Sequence, residues 1–390
     1  MLLFLLAFLF INKPEELLQR GLVALQKGQL VEAKTAFEQC SHLDPGNAFA
    51  WSSLAETYRR LNEPAKAVAA ARTAEKTGAG NPVVSHALAM FYTQTGEFTH
   101  AAQLEQQFAE SAKADPAATE RAAALYLDGG DATNAVNLAQ TALETHPSPS
   151  VEDLLGRALI ATGRISEGET QLKAAWKSAE TDPHIAFDYA QLLLRKEDFT
   201  QAATVIDSAL SADPDDPQLR LAMGVARYGQ RRFDDAIVAF LQVIKIDPQI
   251  DQPYRFLGRM LDQVGEHLQE ITNDFQDWAA KNPKNAKAQV LLAKARLAAD
   301  SKDATAEGLL RKSILLDPND WESHYELGVL LANRREWKAA AAELTRSTAL
   351  DRKQSMPHYH LARVYDRLGE PDRAKAEREL HEKLSGAETK

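Results

Sequence analysis

"LDPGNAFAWSSLAETY", residues 43–58, ends one helix and begins another within a few residues. Proline has no N–H and pushes the residue before it out of the helical region, so Asp44-Pro45 marks a stop. Trp51, Leu54, Ala55 and Tyr58 follow at offsets of three, one and three, which sets them a turn apart on one helical face. A face that large needs cover that one short helix cannot supply, so the chain must bring up another element.

The same device recurs. Asp-Pro, Asn-Pro or His-Pro pairs end at Pro45, Pro116, Pro147, Pro183, Pro214, Pro248, Pro283 and Pro318. The gaps are 71, close to two periods, then 31, 36, 31, 34, 35 and 35. A period near 34 counted from Pro14 yields eleven units. Their eighth positions read Gly21, Ala55, Ala89, Ala123, Gly156, Ala190, Gly224, Gly258, Lys294, Gly328 and Ala362. Their twentieth positions read Ala33, Ala67, Ala101, Ala135, Gly168, Ala202 and Ala236, then, after an irregular eighth unit, Ala306, Ala340 and Ala374. One small residue on each of two helices lets the backbones approach closely, and bulky residues between them interlock.

These residues resemble the tetratricopeptide repeat, whose pattern is Trp-x2-Leu-Gly-x2-Tyr, then Ala-x3-Phe, then Pro. Trp51, Leu54, Ala55 and Tyr58 carry it in the second unit. Gly21, Ala33, Phe37 and Pro45 carry it in the first, and Met223, Gly224, Ala236, Phe240 and Pro248 in the seventh. Leu327, Gly328, Ala340 and Leu344 match in the tenth. The resemblance implies an all-α fold, a right-handed superhelical α-solenoid of antiparallel helix pairs over residues 14–388. It also implies a concave groove that holds a partner peptide. Family members that clamp a partner's C-terminal carboxylate use a Lys and an Asn four residues later in a first helix; no unit here has that pair in phase.

Composition narrows the function further. The chain has 390 residues, 45% hydrophobic and 26% charged, which is enough apolar content for a core. A formal charge of −10 argues against a nucleic-acid partner, which calls for a basic surface. One cysteine, Cys40, leaves no internal disulfide and no cysteine metal cage. No phosphate loop, dinucleotide glycine cluster or Gly-x-Ser-x-Gly elbow is present. His358 and His360, two apart, point to different sides of a helix, which is poor metal geometry. The repeats use up the chain, so the expectation is a protein that is not an enzyme and takes no cofactor, metal or small-molecule substrate.

Residues 1–13 begin with the apolar run MLLFLLAFLFI. It is too short to span a bilayer and suits the apolar region of a signal peptide or a membrane tether. It lacks a preceding basic residue and a small-x-small cleavage site. The alternatives are a cover for the open end of the first repeat, or a start site misplaced upstream. The expected location is exported, periplasmic or extracellular, or membrane-tethered, with the cytoplasm as the alternative. The end of the chain is polar, with Arg378 and His381 at usually apolar positions and a tail over 386–390.

Departures from the pattern supply the candidate sites. The eighth unit, around 251–286, reads EHLQEITNDFQDWAAKNPKN after Gly265, with extra residues and Trp278 where a small side chain belongs. It is either a bulge filled by Trp278 or an irregular docking surface. The second unit ends in TGAGNP instead of Asp-Pro, a looser joint at Gly78 and Gly80. Arg220 and Arg227, seven apart, share a face where core residues belong. They either pack their stems and reach a carboxylate or bind an anion. Groove positions of the first helices are Arg157, Arg195, Arg227, Tyr228, Arg255, Arg259, Arg363 and Arg367. Asp262 and Asp366 lie three residues after Arg259 and Arg363, the spacing of intrahelical ion pairs. The function expected is a scaffold for other proteins or peptides. The alternatives are an accessory subunit that recruits substrate for an enzyme on another chain, and a cytoplasmic peptide-sensing regulator.

Overall fold

The structure, a computed structural model, describes residues 13–111 and 117–388. The apolar leader over 1–12 and the stop at Pro116 lie outside the described residues, as does the end of the tail. Among the described residues there are twenty-two α-helices and no strand, and they form two compact units, up to Tyr189 and from Ala190.

The first unit contains α1 (Pro14–Gln26), α2 (Leu30–Leu43), α3 (Ala48–Arg60), α4 (Pro64–Thr77), α5 (Pro82–Thr95) and α6 (Phe98–Ala109). It continues through α7 (Ala118–Asp128), α8 (Ala132–Thr145), α9 (Pro149–Ala161) and α10 (Ile165–Ser178) and ends within α11 (Pro183–Arg195). Starts are fixed locally: the side chains of Asn47, Asn81, Asp131 and Ser148 accept from backbone N–H groups of the helices they precede. From α1 to α10 each helix packs on the next, and α3 also touches α1 and α5. One core runs from Ala24 and Phe37 through Leu54, Tyr58 and Leu88 to Leu104, so no single pair encloses it. The third and seventh positions of each first helix are buried, as at Ala50, Leu54, Val84, Leu88, Val151 and Leu155. The first pair differs. It has exposed Glu16 and Arg20 there, and Arg20 pairs with Glu32 at 3.1 Å, which makes that face compatible with water.

The second unit contains α12 (Phe199–Leu210), α13 (Pro217–Gly229), α14 (Phe233–Ile246), α15 (Gln252–Arg259), α16 (Leu268–Lys281) and α17 (Ala286–Ala299). After these come α18 (Ala306–Leu316), α19 (Trp321–Asn333), α20 (Trp337–Leu350), α21 (Ser355–Leu368) and α22 (Pro371–Glu388). The small eighth position has a visible cause. A Cβ added at Gly224 would sit 2.4 Å from the Phe240 ring, and one at Gly21 would sit 2.4 Å from Phe37. Where the eighth residue is Ala55 or Ala123, position twenty-four is Ala71 or Ala139 instead of phenylalanine.

The irregular unit corrects the sequence reading twice. Helix α15 stops after 8 residues, and buried Met260, Val264 and Ile271 fill the space before and along α16. Gly258 therefore faces Leu291 of α17 instead of its own partner helix. The extra residues also shift the next unit by one. Its small position is Ala293, wholly buried, and Lys294 belongs to the face beside it.

Candidate functional site

First helices of successive pairs touch at α1 to α3, α3 to α5 and α7 to α9 in the first unit, and at α15 to α17, α17 to α19 and α19 to α21 in the second, so their free sides form strips there. The sequence-derived groove residues lie on first helices, and their charge partners differ.

In the first unit, Arg157 of α9 is already engaged. Its Nη1 donates to Asp188 at 3.1 Å, and its Nε lies 3.4 Å from Asp153. Asp153 is 7% exposed, and its Oδ1 has no hydrogen-bond partner. Burial, together with the charge of Asp188, pushes its carboxyl up to about 7, against the pull of Arg157. Further along, Glu105 is buried between His86 and Arg121, both at 2.7 Å. Above it, Ala89, Met90, Ala124 and Leu125 line an apolar niche of about 300 Å³, with Met90 exposed at its edge. The sequence reading did not single out this niche, because its residues come from three helices.

In the second unit, Arg227 is folded against the protein. It donates to Gln230 at 3.1 Å and pairs with Asp207 at 3.4 Å, as a side chain with a packed stem would. Arg220 reaches no carboxylate among the described residues; its Nε donates to the Pro214 carbonyl at 2.5 Å, and Nη1 donates to Gln242. Tyr228 is exposed, its ring 5.7 Å from Phe233 and 6.3 Å from Phe256. Arg255 is tied to Asp251 at 2.5 Å. Trp278 is 3% exposed and stacks on Tyr254 with centroids 4.4 Å apart. A ring so enclosed offers no docking surface; it fills the bulge.

The two ion pairs expected from spacing do not form among the described residues. Asp262 lies beyond the end of α15, off the helical repeat that would bring it to Arg259. Asp366 turns to Arg378 of α22 at 2.8 Å, while Arg363 sits over the Tyr359 ring at 5.5 Å. Arg195, Arg259, Arg363 and Arg367 are thus exposed without a carboxylate partner among the described residues.

Between Arg259 and Arg363 lies a network the sequence reading missed. Lys294 Nζ is 2.6 Å from Glu322 and 3.8 Å from Glu326, and Lys287 is 2.5 Å from Glu322. Burial would raise Glu322, but Lys294 and Lys287 overcome it and hold the carboxyl down at about 2. Glu326 goes the other way: burial, aided by Glu322, lifts it to about 7 despite Lys294. Next to them, burial and the charge of Arg363 press His360 below the usual histidine value. The strip thus holds neutralised charge flanked by free guanidinium groups. No metal cluster occurs among the described residues.

Sequence-family comparison matches residues 24–91, and residues 154–217 with 187–253, each to the tetratricopeptide repeat. No protein of curated function matches the chain. Among solved structures, yeast Tom70 is similar at 15% identity, covering 95% of this chain and 92% of that one, with a TM-score of 0.44. The APC/C hetero-tetramer Cut9–Hcn1 is similar at 14% identity, with 97% and 95% covered and a TM-score of 0.45. A tetratricopeptide repeat protein from Parabacteroides merdae is similar at 17% identity, with 63% and 97% covered and a TM-score of 0.47. Two family matches in its sequence, and helix pairs stacked through small residues at fixed positions, support a tetratricopeptide repeat protein, an interaction scaffold whose described residues form helices and no strand.

Proposed function

We propose that the chain is a non-catalytic scaffold that holds an extended segment of a partner protein along its first-helix face. Acidic side chains of that segment would meet Arg259 and Arg363. The observation that carries this reading is that these two guanidinium groups have no carboxylate partner among the described residues, while Arg157, Arg227 and Arg255 are neutralised within the chain. Exposed arginines in a strip of otherwise satisfied charge steer and orient a partner more than they stabilise the fold.

The test is capture of the partner by the immobilised chain, its identification by mass spectrometry, and titration with the purified partner. Replacing Arg259→Glu and Arg363→Glu together should weaken binding at least about tenfold with helicity unchanged, since each charged contact contributes on the order of 1 kcal/mol or more. Arg255→Glu should matter less, because Asp251 already holds that side chain. Unchanged binding by the double variant would move the site elsewhere.

We also propose that the chain is exported or membrane-tethered through residues 1–13. The apolar run itself supports this. Among the described residues no helix is long and apolar enough to cross a membrane. N-terminal sequencing and fractionation decide the matter. Recovery from the cytoplasm with Met1 retained would remove the proposal.

A further inference from the structure

Four joints between pairs are filled by two plugs, whereas the joint between α4 and α5 has neither. In the joints that follow Asp44, Asp213, Asp247, Asp317 and Asp351, that aspartate accepts from the N–H two residues on, at Gly46, Asp215, Gln249, Asn319 and Lys353. At four of these joints a large side chain at the third or fourth position of the next helix then closes the space. Trp51, Arg220, Tyr254 and His324 each donate to the carbonyl six residues back, at Pro45, Pro214, Pro248 and Pro318.

At the joint between α4 and α5 the aspartate is replaced by Gly78 and the large side chain by Ser85. Gly78 is required there, since a Cβ would lie 2.8 Å from that of Ala48 and 2.7 Å from Val84. The turn keeps its closing bond, Asn81 N–H to the Gly78 carbonyl at 2.8 Å, but its third residue, Gly80, has φ +79°. That value turns the central peptide over, so the Gly80 N–H replaces the neighbouring carbonyl on the side where the plug sits elsewhere. What remains is a cleft of about 500 Å³ between the second helices α4 and α6. Val84, Leu88 and Leu104 form its apolar floor, and Ser85 reaches only Gln107, at 3.3 Å. On its rim Arg72 and Lys76 stand exposed, one turn apart, without a carboxylate partner among the described residues. Glu75 between them serves His100 and Tyr92 at 3.2 and 3.4 Å.

We propose that this cleft is a second docking site, on the side opposite the first-helix face, for a partner segment that supplies both missing plugs: a bulky apolar side chain next to a carboxylate. The ring or branched side chain covers Val84, Leu88 and Leu104. The carboxylate meets the Gly80 N–H and the Arg72 and Lys76 cations.

Methyl and amide NMR of the full chain tests this with the probe N-acetyl-Phe-Asp-amide. The expected result is shifts confined to the Val84, Leu88 and Leu104 methyls and the Gly80 amide. Ser85→Trp, which rebuilds the plug within the chain, should abolish them. Affinity should fall at least tenfold for Arg72→Glu with Lys76→Glu, and for the Asn-containing probe that lacks the charge. Absent shifts, shifts that survive Ser85→Trp, or equal binding of the uncharged probe would overturn the proposal. So would a dimer that Ser85→Trp dissolves, because the occupant would then be a second copy. The Arg259 and Arg363 variants should leave these shifts unchanged, so this site and the first-helix reading fail separately.

Discussion

Lys294 lies with its Nζ 2.6 Å from Glu322, bridging α17 to α19, and Glu326, one turn further along, is left with the poorer contact at 3.8 Å. One ammonium shared by two partly buried carboxylates cannot satisfy both, so one carboxyl is depressed and the other raised.

The consequence is a pH dependence of stability whose sign differs between the two. Glu326 has a folded value near 7, above its ordinary value of 4.5, so its neutral form favours the folded state. That contribution is full below the ordinary carboxylate range and lost as pH rises through about 7. Glu322, held at about 2, contributes above the ordinary range and loses that contribution only as pH falls through about 2. We expect Glu326→Gln to raise stability at pH 8.5 by about 1–3 kcal/mol and to flatten the profile between pH 5 and 8. Denaturant melts against pH measure this; a profile identical to the parent's would remove Glu326 from the account. Asp153→Asn should do the same for the first unit.

Gly224 and Phe240 make a second case. Because a Cβ at Gly224 would enter the ring's space, Gly224→Ala should destabilise by about 1–3 kcal/mol, although alanine is the better helix former. In a Phe240→Ala background that penalty should vanish. A double-mutant cycle with no coupling would mean the glycine serves something other than close approach.

Turns between the helices of a pair pass through left-handed backbone, and four of these residues are not glycine. Arg231, exposed at φ +60°, is one of them. Its side chain makes no bond among the described residues, so Arg231→Gly should relieve backbone strain and stabilise by up to about 1 kcal/mol. A small rise in thermal midpoint is the readout, and a fall would show that the side chain matters more than the backbone.

Much of this was legible from residue order. Proline stops and small residues at two phases located the helix pairs because they act within a few residues of themselves. Ion pairing was not. The three-residue spacing of Arg259 and Asp262 presumes one helix through both, but α15 ends at Arg259. Arg363 and Asp366 do share a helix, yet Arg378 of α22 offers the aspartate a closer partner. The one-residue slip at Lys294 arose because extra residues in the irregular unit broke a count that local periodicity alone could not reset.

By itself, then, the sequence determined that this chain folds as stacked helix pairs, since backbone stops, periodic apolar faces and close-approach positions are short-range properties. Tertiary structure decided which charges are spent. Arg157, Arg227 and Lys294 find carboxylates 20 to 31 residues away, whereas Arg259 and Arg363 find none among the described residues. Pairing over such separations depends on which helices lie side by side, and only the folded chain fixes that.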